Sequence, residues 1–317
     1  MSTTQTTSAL HQATRVLGLS ADARHRIRLR LGWLIAVVFL TGMLSYGLPY
    51  YMLDLAARAH SPYHAQLRPS GAIGLKLGIL GVLLFSFLFL YAIRKRWKWL
   101  ASMGKTKHWL DFHILFGVSA PIVITLHSSF KLSGLAGLAY WIMMAVAASG
   151  IVGRYLYSQI PRSLSAAELT FKDVETLLAR LAESLRHQHL LSAEDIAGFL
   201  HLPSREQVDS LSLTGALAAI IRLDLARVLH TAALRRRFLS PLRAIFTLGG
   251  LLPSGNRDLE DAVGAIRMQS WLATKMLFLS RLHELFHLWH VVHRPFSYSF
   301  VVLVVVHITV AMLFGYY

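Results

Sequence analysis

Two pairs of histidines stand at one and the same separation in apolar surroundings: His113 with His127, and His293 with His307, each pair fourteen residues apart. On an α-helix turning 100° per residue, that gap falls about 40° short of four full turns and rises about 21 Å. Both members of a pair therefore point the same way, at two depths. A neutral imidazole nitrogen is a good ligand to ferrous and ferric iron, and two imidazoles fill both axial positions of a porphyrin iron. Such an iron moves one electron with little ligand rearrangement and resists oxygen binding. If the two helices run parallel, His113 is level with His293 and His127 with His307, so each level suits one porphyrin. Trp109 and Trp289 each precede the first histidine of a pair by four residues, a second mark of equal register at a membrane interface. The expected metal ligands are thus His113, His127, His293 and His307.

Other residues bear on the same question. The chain has no cysteine, which removes disulfides, thiolate metal sites, iron–sulfur clusters and covalent haem attachment. Arg154, Arg294 and Lys131 are candidates to pair with haem propionates, and Gly117, Gly150 and Gly153 to admit a flat macrocycle close to backbone. His283, His287 and His290, with His293, follow one another at spacings of four, three and three. The first three share a helix face, as a zinc or di-iron box requires, with His108 and Asp111 as partners at matched depth. That reading makes the protein a non-haem metalloenzyme; a third reading has the histidines relaying protons in a transporter. His60, His64, His187, His189 and His201 read as solvated surface. The stretch from Arg294 to Ser299 faintly resembles a flavin-binding run, but it leads into an apolar span, and the chain lacks G-x-G-x-x-G and Walker A sequences.

The elements that must carry these residues are membrane helices. Of 317 residues, 55% are hydrophobic and 15% charged, with a mean hydropathy of +0.49, which excludes disorder and an ordinary soluble enzyme. Five stretches reach the roughly 20 apolar residues that a span needs: 31–53, 71–93, 109–130, 135–157 and 294–317. Lys and Arg outnumber Asp and Glu by 32 to 16, and the excess lies beside these runs, favouring membrane anchoring over a nucleic-acid partner. The segment before span 1 and the loop after span 2 are rich in Lys and Arg, whereas the loops after spans 1 and 3 are poor in them. By the positive-inside rule the N-terminus is cytoplasmic, spans 3 and 5 both run outward, and the C-terminus lies outside an inner (cytoplasmic) membrane.

The expected fold is an all-α polytopic bundle of about five spans, with a helical insertion between spans 4 and 5. Its parts are residues 1–30, a cytoplasmic N-terminal segment; 31–157, spans 1 to 4; 158–283, the cytoplasmic insertion; and 284–317, span 5. Within the insertion, Ser165 with Glu168 and Ser204 with Gln207 have capping-box spacing. Residues 211–234 read as an amphipathic helix, because Arg222, Asp224 and Arg227 are costly at mid-bilayer. Pro241 and the run from Gly249 to Gly255 mark breaks before a last long helix.

The quartet His113, His127, His293 and His307 resembles the membrane di-haem b cytochromes, a pattern shared by cytochrome b of quinol-oxidising complexes and the ferric-reductase/NADPH-oxidase membrane domain. Its place on the third and fifth spans looks most like the latter. The resemblance implies two non-covalent b haems, each held by two histidines, conducting electrons across the bilayer. Ferric reductases usually carry six spans and a C-terminal flavin/NADPH domain, whereas this chain stops after span 5 and inserts about 120 residues before it. The expected donor is then a redox partner subunit at the cytoplasmic or outer face, or a quinol, with quinone a further candidate cofactor.

Overall fold

In a computed structural model, the structure describes residues 21–94, 96–160, 176, 202–240 and 246–315. These residues are almost wholly helical and contain no strand. The protein is an all-α polytopic bundle. Five segments are long and apolar enough to cross a membrane: Asp22–Tyr51, His64–Arg94, Thr106–His127, Gly134–Gln159 and Leu279–Leu313. A chain in hydrocarbon must satisfy its own backbone, and unbroken helices do so.

The chain divides into two units, Met1–Ile151 with His293–Tyr317, and Val152–Val292. The first unit is built on α1 (Ala21–Tyr51), the short α2 (Leu55–Arg58) and α3 (His64–Leu67), and α4 (Ala72–Arg94). It continues with the short α5 (Lys98–Ala101) and with α6 (Thr106–His127). The first part of α7 (Gly134–Gln159) and the last part of α11 (Leu279–Leu313) complete it. Many of its large apolar side chains, such as Leu34, Val38, Val302 and Met312, face outward, as lipid-facing positions do.

Helices α4 and α6 pack antiparallel along a small-residue face of α4. A Cβ on Gly81 would meet Ile124 at 2.3 Å, and one on Gly78 would meet the His127 ring at 2.8 Å. Two buried arginines fasten the helix ends. Arg58 donates to the carbonyls of Leu53, Tyr51 and Ser129, gathering the last turns of α1 and α6. A cation there meets the negative ends of both helix dipoles. Beyond His127 the chain turns away through Ser129 and Phe130, at φ 49° and 61°. Arg94 donates to Thr106 and to the carbonyls of Ala101 and Gly104, and lies over the Trp109 ring.

The second unit holds the rest of α7 and of α11 with α8 (Arg205–Ser210), α9 (Leu213–Arg237) and α10 (Arg257–Leu277). Ser204 and Gln207 form the expected capping box on α8, whereas Ser165 and Glu168 lie outside the described residues, as do Pro241, His187, His189 and His201. The breaks expected at Gly249, Gly250 and Gly255 are turns with positive φ. Ile220 of α9 and Phe278, Leu282 and Leu285 around the start of α11 share an apolar core with Leu156 of α7. Asp224 and Arg227 are ion-paired at 2.6 Å, and Tyr155 and Gln159 donate to the same carboxylate. These charges, costly in lipid, are met by partners inside a helical unit.

One boundary differs from expectation. The last long helix was expected to start after Gly255 and to run into a fifth span at 284–317; instead α10 ends at Leu277, and α11 starts at Leu279 and carries the span through Pro295. Pro295 lacks the N–H that would bond the Val291 carbonyl four residues back, and the helix continues through it all the same.

Candidate functional site

The four histidines of the quartet lie half-buried on α6 and α11 within the first unit. Helix α4 serves as a ruler between them. Tyr91 of α4 packs on the His113 ring at 5.1 Å, and a Cβ on Gly78 would abut His127, so α4 and α6 are antiparallel. Phe85 of α4 packs on Phe300 of α11 at 4.7 Å between ring centroids. Seven residues back from Phe85 is Gly78, beside His127, and seven on from Phe300 is His307; on α7, Tyr140 bonds Thr125 near His127, while Ser149, nine residues on, bonds His293. Six on from Phe85 is Tyr91, beside His113; six back from Phe300 is Arg294, next to His293. Helix α11 is thus antiparallel to α4 and parallel to α6. Two levels result, His127 with His307 and His113 with His293.

The ring nitrogens are set by their partners. His127 Nδ1 donates to the Gly74 carbonyl at 2.8 Å. A carbonyl can only accept, so in the neutral ring Nε2 carries the lone pair. His293 Nδ1 lies 2.7 Å from Ser149 Oγ, whose own proton goes to the Val146 carbonyl at 2.8 Å. Ser149 therefore accepts from His293 Nδ1, and in the neutral ring Nε2 carries the lone pair. Metal-binding histidines are commonly held in this way, through the ring N–H opposite the ligating nitrogen.

The glycines divide into two kinds. A Cβ on Gly117 would meet only Leu88 at 3.9 Å, and one on Gly150 only the edge of His293 at 3.9 Å. An added side-chain carbon at either would make only an ordinary van der Waals contact. Gly153, in contrast, is filled by Trp289, whose ring atoms would lie 2.1 Å from an added Cβ. Arg154, Arg294 and Lys131 are all exposed.

The remaining histidines have other places. His283 and His287 are exposed, and His290 donates through Nδ1 to the Phe286 carbonyl at 3.0 Å. Among the described residues no three His, Asp or Glu converge where a metal ion could sit. His64, expected to be solvated, is instead bonded to the Tyr50 hydroxyl at 3.1 Å, because the short α3 folds back against α1. Sequence reading also missed a polar cluster at the start of α6. The His25 ring stacks on His108 at 3.7 Å and bonds Asp111 at 2.9 Å, while His108 and Lys105 bond Asp22. Its signal was the presence of Asp22 and His25 ahead of the first apolar run, on the same helix as that run.

Compared with protein-family models, with curated proteins and with solved structures, the chain matches none.

Proposed function

We propose that the protein is a membrane cytochrome b subunit that passes single electrons across an inner membrane through two b haems. His127 and His307 would hold one haem, and His113 and His293 the other. The observation that carries the reading is the two-level register of α6 against α11, set by the packing of Tyr91, Phe85 and Gly78 on the two helices. A haem held by two imidazoles supplies a one-electron iron couple.

The chain's own residues prepare such a site. The Gly74 carbonyl and Ser149 hydroxyl hold the His127 and His293 rings by Nδ1, so that Nε2 is the nitrogen presented. Accepting that proton makes the opposite nitrogen more basic and limits rotation of the ring. The uncrowded backbone at Gly117 and Gly150 is where a flat macrocycle would approach. Arg154, Arg294 and Lys131 are exposed cations that propionates would pair with at the two faces. The lysine and arginine bias supports a cytoplasmic N-terminus and an outer C-terminus, with electrons exchanged between a donor subunit or quinol at one face and an acceptor at the other.

Spectra of single-histidine variants test the reading. His127→Ala should remove the outer b-type signal from the reduced-minus-oxidised spectrum and spare the inner one, and His113→Ala the reverse. Loss of both signals in a folded His127→Ala chain, or of neither, would contradict separate levels.

A further inference from the structure

The second unit carries an apolar surface held outward by buried charge. Between α9 and α10 the loop turns through Leu248, Gly249 and Gly250 at φ 50°, 68° and 91°. It leaves Phe246 79% and Leu248 65% exposed, with Leu251 and Leu252 close behind. A leucine in the left-handed region is disfavoured, so something must hold the turn in place. That restraint is visible. Buried Arg235 donates to the carbonyls of Gly250 and Leu251 and is paired with Glu260, which also accepts from the backbone and hydroxyl of Ser254. Gly250 sits so close to α9 that a Cβ would meet the Ala232 carbonyl at 2.4 Å.

The loop continues an apolar stripe on α9. Leu225 and Leu229 are one helical turn apart and exposed, and Ala232, which the loop abuts, follows on the same face. Arg222 and Arg236 are exposed on the flank of this stripe, and their long stems can lie along it with the charge lifted clear. An outward apolar patch rimmed by arginines is the composition of a surface that rests at a headgroup boundary. Two features of the chain point to lipid as its occupant. Both α7 and α11, which contribute to this unit, continue as helices able to cross a membrane, so a bilayer lies within the chain's own reach. The charge is also complementary, with a formal excess of 16 positive charges over the chain.

We infer that the loop 246–252 and the adjoining face of α9 form a membrane-interface anchor, seated on an anionic lipid surface with the loop side chains among the acyl chains. The absence of cysteine makes the test direct. The full chain carrying Leu251→Cys, labelled with an environment-sensitive fluorophore, is reconstituted into phosphatidylcholine–phosphatidylglycerol vesicles with or without nitroxide-bearing lipid. Glu206→Cys on α8, an exposed acidic position, is the aqueous reference. The expected result is blue-shifted emission at position 251, most of it lost to the lipid nitroxide and little to aqueous iodide, with the reverse at 206. Replacing phosphatidylglycerol by phosphatidylcholine, or introducing Arg222→Gln with Arg236→Gln, should weaken the nitroxide effect. Quenching at 251 by iodide alone would overturn the inference, as would shielding from both quenchers, which would mean that protein covers the face. An equal effect in both lipid mixtures would overturn the assignment to an anionic surface.

Discussion

At the scale of single residues, a partner at Nδ1 sets which ring nitrogen carries the lone pair in His127 and His293. Ser149 can accept from His293 only because it spends its own proton on the Val146 carbonyl. Ser149→Ala removes that acceptor without touching Nε2, the nitrogen that would ligate in the proposed reading. Loss of an outer-shell partner of this kind typically lowers metal affinity about 10- to 100-fold. If the proposed haems are present, the one at His113 and His293 should therefore bind more weakly and titrate at a shifted midpoint potential in Ser149→Ala, with the one at His127 and His307 unchanged; redox titration of the purified variant checks this. Unchanged affinity and potential at the inner centre would show that the serine does not orient a ligand. Arg58 makes a different prediction. Its guanidinium serves three carbonyls while only 7% exposed, so Arg58→Met strands the buried acceptors of Tyr51 and Ser129. A loss of about 3 kcal/mol is expected from the unsatisfied groups, read as a lowered unfolding midpoint in detergent.

At the scale of elements, the packing of α4 on α6 decides the level of His127. Gly78→Ala would place a methyl 2.8 Å from the His127 ring, whereas Gly117→Ala would touch only Leu88 at 3.9 Å. The first should displace His127 and deplete the outer haem while sparing the inner one; the same alanine at Gly117 leaves the helix packing intact, with only the space beside it reduced. Thermal unfolding and haem content of the two variants separate packing from occupancy. In the second unit, burial among α7, α9 and α10 pushes the Lys275 amine down to about 8 from its ordinary 10.5; Asp224 pulls the other way, and Arg227 adds to the depression. Below about pH 8 folded and unfolded chains both hold this proton, and the burden of a buried cation is constant. Between about 8 and 10.5 only the unfolded chain keeps it, so stability rises with pH across that window. Lys275→Met should remove this rise, as thermal unfolding of both chains from pH 8 to 10.5 would reveal.

Much at this scale was legible beforehand. Five apolar runs predicted five membrane-length helices, and Ser204 with Gln207 predicted a capped helix start, because hydrophobic length and capping chemistry are local. The start of α11 at Leu279 was not legible, since no glycine or proline separates it from α10, which ends at Leu277. Nor were the arginine clasps. Arg94 counts as an inner-loop charge in a positive-inside tally, but its partners at Thr106, Ala101 and Gly104 exist only once the chain has turned. The periodicity of the four histidines was visible, whereas the groups that orient His127 and His293 come from other helices.

At the scale of the whole molecule, two levels on parallel helices define a path along the membrane normal. A unit charge crossing the full potential is worth about 2.3 kcal/mol per 100 mV, so electron flow through such a chain should respond to an imposed potential; reconstituted vesicles with a trapped acceptor would register it as a change in transfer rate. The central claim is tested most directly by counting haem. A pyridine haemochrome assay on the purified chain from haem-replete cells should give two b haems per chain, one in His127→Ala, and none when His113, His127, His293 and His307 are all replaced by alanine. A folded wild-type chain without haem, or haem that survives the fourfold replacement, would contradict the account.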